Sequence, residues 1–296
     1  MNKRTTAIVA ILTLGYSYLF AGGILTNTNQ SAHFIRMVAR DASTQIDAAY
    51  TNPAGLVKLE DGFHFSFTNQ SAFQTRTITS TFAPFAGFGG NATKEFKGKA
   101  SAPIIPSIQA AYKKGKWVLS GNLAVTGGGG KATFNDGLPS FEGLLATIPF
   151  LLNSSIPTTQ YSVDAYMTGS SFIYGAQLGG SYAINDMFSA YAGFRLNIVN
   201  NGYEGYLKNF KINPRHPLLN PNGDMIPAES FLNTIGQTAL AGAVADKEID
   251  NKQSGWGVNP ILGLNFNHKG LNIGVKYEFK TALDVESKTV DGKDGG

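Results

Sequence analysis

Cysteine is absent from the 296 residues, which excludes disulfide scaffolds, Cys-based zinc sites and thiol catalysis. Charge is scarce as well. Asp, Glu, Lys and Arg make up 15% of the chain, against about 25% in an ordinary soluble protein. Past the N-terminus no run of 18 consecutive apolar residues occurs, so no helix is expected to span a membrane. What the chain does have is 35 glycines, 20 Phe and 12 Tyr, in a composition that is 43% hydrophobic. That is too apolar for a disordered chain and an unusual mixture for a soluble enzyme.

Lys3 and Arg4 precede the apolar run Ala7–Phe20, which ends at Ala21-Gly22. A charged start, a short apolar stretch and a small-residue end predict a secretory signal peptide over 1–21. Its removal lowers the formal charge from +4 to +2. No basic cluster survives to meet nucleic acid.

The rest of the chain alternates with period two, the mark of strands with one apolar and one polar face. From Leu271 the odd positions are Leu271, Ile273, Val275, Tyr277, Phe279, Leu283 and Val285, against Asn272, Gly274, Lys276, Glu278, Lys280, Asp284 and Glu286. This single stretch to Glu286 is far longer than the usual five or six residues of a soluble strand. Similar patterns occupy Phe63–Thr68, Ile104–Tyr112, Trp117–Val125, Phe172–Tyr182, Met187–Asn200 and Trp256–Phe266, giving seven predicted strands. Tight turns fall at Lys113–Lys116, Ile184–Asp186 and Asn267–Gly270, with long connections at about 83–98, 127–160 and 208–252. Short turns at one end and long loops at the other are the pattern of a transmembrane antiparallel β-barrel. A β-sandwich does not sort its turns this way. Lys276, Glu278 and Lys280 share the polar face, as a lumenal charge network or as simple solvation.

Between the leader and the first strand, residues 22–61 show neither sustained alternation nor a long amphipathic helix, and their apolar and small residues favour packing over disorder. This stretch carries Ser31-Ala32, Arg36, Ala39 and Asp41-Ala42, then the tripeptide Asn52-Pro53-Ala54, with Asp61-Gly62-Phe63 leading into strand one. Further on come Ala102-Pro103, Pro106, Gly255-Trp256-Gly257 and Tyr277-Glu278-Phe279-Lys280. In these features, which cover most of 22–286, the chain resembles the FadL-type outer-membrane transporters of long-chain fatty acids, a family that includes the toluene channels. The resemblance implies a fourteen-stranded barrel whose N-terminal segment, 22–61 here, is a hatch inside the lumen around Asn52, Pro53 and Ala54. It also implies that apolar substrates leave sideways through a gap at a kinked strand. Gly127, Gly128, Gly129 and Gly130, beside the third strand, are the place for such a kink, or alternatively a flexible entrance to the loop that follows.

Two long-loop segments could receive an apolar ligand. Phe141–Leu152 is too apolar to leave in water, and offers Phe141, Leu144, Leu145, Phe150 and Leu151. Pro227–Ala245 is predicted as one helix, with Phe231, Leu232, Ile235, Ala239 and Leu240 on one face. Together they form a groove over the mouth, or bury each other. A carboxylate ligand needs a basic partner, for which Lys208, Lys211, Arg215, Arg195, Lys276 and Lys280 are available.

Other functions fit less well. His64 and Ser66 lie two apart, as in the His-x-Ser of the outer-membrane phospholipase, but Phe67-Thr68 follows and no third orienting group is evident. A general porin or a surface adhesin on the same scaffold is the other alternative, and an open porin needs a water-filled lumen, which 22–61 is long enough to plug. The expectation is a monomeric, non-enzymatic barrel of the bacterial outer membrane. It takes up long-chain fatty acids or similar hydrophobic molecules, sits among outer-membrane lipid, and uses no metal or cofactor. Seven strands over 62–296, ending at Asp294-Gly295-Gly296 without a terminal aromatic strand, read as an incomplete barrel within a longer protein.

Overall fold

The computed structural model describes residues 26–294. The predicted leader, the first residues of the predicted hatch and the final two glycines lie outside the described residues. Among the described residues nine strands are present: β1 (Gly62–Thr81), β2 (Thr93–Lys114), β3 (Trp117–Phe134), β4 (Tyr161–Ala183), β5 (Phe188–Ile212), the two-residue β6 (Ile226–Pro227), β7 (Lys247–His268), β8 (Leu271–Glu278) and β9 (Asp284–Asp294). They form one antiparallel sheet in the order β1-β2-β3-β4-β5-β7-β8, with β6 against β5 and β9 against β7. The sheet curls into a half-barrel. No helix among the described residues is long and apolar enough to cross a membrane.

The strands are longer than the alternation indicated. β5 runs 25 residues, where the pattern covered only Met187–Asn200. Beyond the apolar band the outward positions turn polar, so pairing continues while the hydrophobic signal stops. The long connections shrink accordingly, to 82–92, 135–160 and 213–246. The turns at the other end are tight as expected, with Gly115 (φ +58°), Lys269 (φ 46°) and Gly270 (φ +84°) supplying left-handed backbone.

The described N-terminal residues lie against the inner face, so inner and outer positions can be told apart. Phe63, Phe65, Phe67, Trp117, Leu119, Leu123, Phe194, Leu262 and Leu264 are exposed on the outer face. Aromatic residues concentrate there in two rows. At the tight-turn end, Phe63–Tyr112, Trp117–Tyr182 and Phe188–Phe266 pair across strands at 5.0, 4.5 and 4.9 Å between ring centres. Ten residues along the same strands stand Phe73, Phe172 and Trp256.

The stretch predicted as one strand, Leu271–Glu286, is interrupted. β8 pairs with Ile261–His268 and β9 with the outer end of β7, from Ile249 to Trp256. The break reverses the faces: Tyr277 lies beside Leu262 on the outside, but it is Asp284 that lies beside Trp256. Leu283 turns inward instead of continuing the outer apolar row. Seven strands lie on the main path, so β1 and β8 run in the same direction. Antiparallel closure therefore takes an odd number of further strands, and two such sheets joined with their loop ends alike would meet in parallel.

Candidate functional site

Residues 26–61 form two short helices, α1 (Ala32–Arg36) and α2 (Ala48–Thr51), and a 3-10 turn, Pro53–Lys58. Asn52 starts that turn: its side-chain oxygen accepts from the Ala54 amide, and Pro53 occupies the first position, where no N–H is needed. The Asn52 amide then donates to the carbonyls of Asp41 and Leu264, both at 3.0 Å. Ala54 is fully buried against Tyr191 and Ile261. Irregular backbone cannot satisfy its own carbonyls, and the strands do it instead. Gln177 donates to Ala49, Ser181 to Pro53, Ser189 to Ala54 and Gln109 to Gln30. Within the segment Arg40 grips Asp47 through two bonds of 2.7 and 2.9 Å, which raises the guanidinium pKa further above its usual value.

A cavity of about 490 Å³ lies between this segment and the inner wall, within the ordinary range for ligand sites. Phe34, Val38, Ile173 and Leu283 supply apolar walls, and Tyr50, Arg195, Lys276 and Glu278 a polar one. Arg195 binds Glu278 bidentately at 2.8 and 2.9 Å and also holds the Gln177 side-chain oxygen. Lys276 donates to Glu278 at 2.7 Å and to the Tyr50 carbonyl at 3.2 Å. Both cations lie close to the Tyr50 ring, at 4.8 and 5.2 Å from its centre, a cation–π arrangement. Burial pushes the Tyr50 phenol pKa up, so it remains a neutral donor, here to the Asn27 carbonyl. Of the predicted charge row, Lys276 and Glu278 pair, while Lys280 stands exposed in the break before β9. Lys208 pairs with Glu248, and Lys211 and Arg215 are exposed.

A second cavity, about 510 Å³, lies at the loop end, over the outer parts of β4, β5 and β7. The segment predicted as a loop is a helix, α3 (Pro139–Leu152). The predicted helix Pro227–Ala245 is instead two, α4 (Ala228–Thr234) and α5 (Thr238–Val244). Gly236 at φ +78° separates them, a conformation a continuing helix cannot accommodate. Phe141, Leu144 and Leu145 line the cavity together with Ile148, Met167 and Val244. Phe150 and Leu151 point away and are exposed. Phe231 and Leu232 do not line it: with Leu145 and Ala146 they are buried in the cluster around Phe85, Phe96, Tyr161 and Phe210, against which Ile235 packs. Leu240 is exposed. The two loop segments therefore bury part of each other and leave a groove beside the contact.

One charged group in that cluster escaped the sequence reading. Glu142 is 1% exposed, bound by Lys94 at 2.7 Å and by the Tyr161 hydroxyl at 2.8 Å. Lys94 rests over the Phe88 ring. The available signal was a lone acid within an apolar helix, which must find a partner once buried. Glu142→Ala leaves Lys94 unpaired and is expected to free α3 at a cost of about 3 kcal/mol. Limited proteolysis between β3 and β4 should then cleave faster at unchanged strand content.

Gly127–Gly130 lie inside β3, which continues to Phe134, and not at a loop entrance. Pairing with β4 slips between Val125 and Gly127 and again between Gly127 and Gly130. Pairing with β2 is missing between Ser101–Lys131 and Ser107–Ala124. Pro103 and Pro106 of β2 have no N–H to offer there. Gly128 has φ +96° and an added Cβ would sit 2.1 Å from the Ser171 carbonyl, so this path requires glycine. The N-terminal segment patches the gap: Asn27 N–H donates to Thr126 at 2.8 Å, and the Asn27 and Gln30 amides both donate to the Val125 carbonyl. His64 bonds the Glu60 carbonyl at 2.8 Å. Among the described residues no group of three or more His, Cys, Asp or Glu is placed to hold a metal ion. No protein-family model, curated protein or solved structure matches this chain.

Proposed function

We propose that this chain forms part of the wall and the hatch of a FadL-type outer-membrane barrel. It admits long-chain fatty acids or similar hydrophobic molecules by passive diffusion. The two aromatic rows support the membrane setting. Ten residues of strand at a tilt of about 40° span about 25 Å, the height of the apolar band in such barrels. Hydrocarbon supplies no hydrogen bonds, so a paired sheet with an apolar outer face is a structure it tolerates.

The observation that carries the reading is the path across the inner face. An apolar groove at the mouth is followed by a chamber with apolar walls and a cationic side, and then by a stretch of wall where β2 and β3 do not pair. The N-terminal segment borders the chamber and patches the wall. In this reading the groove captures the acyl chain, Arg195 and Lys276 face its carboxylate in the chamber, and movement of Asn27 and Gln30 from Val125 opens the route sideways at Gly127–Gly130.

Leu144 gives the test, because it lines the groove yet is 74% exposed, so changing it leaves the packed cluster intact. Leu144→Asp is expected to weaken oleate binding by the full chain about tenfold, the scale of one lost apolar contact surface. Tritiated oleate binding in detergent measures it. Wild-type protein that fails to bind oleate would refute the proposed function.

A further inference from the structure

On the outer face just beyond the upper aromatic row lies a group of lysines with no role in the proposed path. Cross-strand register places Phe73 beside Ser101 and Ser101 beside Lys131. One step further out Thr75 lies beside Lys99 and Lys99 beside Thr133, and a second step out Thr77 lies beside Lys97. Lys97 and Lys99 are two apart on β2 and share a face. Lys131 is the diagonal neighbour of Lys99 across the β2–β3 pair, close enough for long side chains to reach one phosphate. The inward side of the same strands is taken by Phe96 and Gly98, so the three lysines point out and are exposed.

Little on the protein balances them. Lys97 has Glu95 at 3.6 Å, with both side chains more than half exposed, a pair that water and salt screen. Lys99 and Lys131 have no ion pair among the described residues. Along the row of Lys99 the next acid is Glu204, three strands away on β5. Threonine and serine hydroxyls from Thr75, Thr77, Ser101 and Thr133 surround the group on the same face. Like charges this close on a sheet repel, and an anion between them removes the repulsion.

Height selects the anion. If the aromatic row marks the edge of the hydrocarbon, Lys131 stands at that edge, with Lys99 and Lys97 about 5 and 10 Å further out. That is the layer of lipid headgroups. We infer that Lys97, Lys99 and Lys131 bind the phosphate of an anionic outer-leaflet lipid headgroup, directly above the unpaired stretch of wall. The inference rests on the membrane reading above. It adds a fixed lipid at the place where that reading puts the lateral exit.

The full chain in phosphatidylcholine nanodiscs doped with diphosphoryl lipid A tests it, beside discs doped with the dephosphorylated glycolipid. Native mass spectrometry counts the retained glycolipid. Wild type should retain the phosphorylated form and not the other. A Lys97→Gln/Lys99→Gln/Lys131→Gln variant should retain at least about tenfold less, given the usual strength of lysines at an anionic surface. Added salt should release it, because the charges are exposed. Equal retention by wild type and variant overturns the inference while leaving the barrel reading intact. Displacement by equimolar inorganic phosphate overturns the assignment to a lipid. Failure of the chain to insert, read from protease protection, overturns both.

Discussion

Arg195→Ala will unfold at clearly lower denaturant than wild type, by about 2–4 kcal/mol, because it takes from the Glu278 carboxylate the bidentate one of its two cations against the inner wall. Arg195 is 5% exposed, and its guanidinium reaches Glu278 on β8 and Gln177 on β4 from its place on β5. Four of its hydrogen bonds are thereby spent on holding three strands in register. The loss is placed below the full cost of a dry ion pair because the Glu278 side chain is 32% exposed. Lys276 keeps both its partners, the Glu278 carboxylate and the Tyr50 carbonyl, which limits the loss further. Removing all three charges, as Arg195→Met with Glu278→Leu and Lys276→Met, is expected to recover most of the loss, since no uncompensated charge remains. Guanidinium unfolding in micelles, followed by tryptophan fluorescence, measures both. A triple variant no better than Arg195→Ala would show that the bonds to Gln177, and not the charge network, carry the stability.

The same pair shows where sequence reasoning stops. Arg195 and Glu278 are 83 residues apart, and neither residue's surroundings in the chain indicate the other. Only the register of β5, β7 and β8 brings them together, and register depends on every turn between them. The strand centres were legible because a sheet with one apolar face writes its period into the chain. Their outer ends were not, because from Lys97 and Lys99 outward the outer face turns polar, and the inner face keeps only scattered apolar residues such as Ile78 and Phe96. The role of Asn52-Pro53 was half legible: capping is local chemistry, but the Leu264 carbonyl it also holds is 212 residues away. Phe231 and Leu232 showed an apolar face correctly without showing what it faced. Burial in a cluster and exposure to a ligand leave the same pattern in a helix, and here Leu145 and Ala146 arrived to cover it. The split of the predicted helix at Gly236 was written in the sequence, since glycine is the residue that ends helices with left-handed backbone.

If residues 26–61 are a hatch, Gly274→Val will turn a closed protein into a leaky one. Gly274 lies on the inner face of β8, and a Cβ added there would sit 2.0 Å from the Asp41 carbonyl oxygen and 2.9 Å from the Ala42 Cα. Both are backbone atoms, so no side-chain rotation relieves the contact. The N-terminal segment must move off β8, and with it go the Asn272–Ala42 and Asn52–Asp41 hydrogen bonds that fasten that stretch. The strand itself has no reason to fail, because the outward neighbours Ile273 and Val275 and their pairing with Phe266 and Leu264 are untouched. If residues 26–61 occlude the lumen, displacing them opens a polar path lined by Asn197, Asn259 and Lys276, all of which border the chamber. Planar-bilayer recording should show brief or no openings for wild type and steady conductance, at least tenfold greater, for Gly274→Val, as a water-filled barrel gives. Unchanged strand content by circular dichroism separates displacement from unfolding. Large stable currents from the wild type would sink the hatch, because a lumen already open has nothing for the substitution to release. Equal low conductance in both proteins would place the occlusion elsewhere, in the α3–α5 cluster at the mouth.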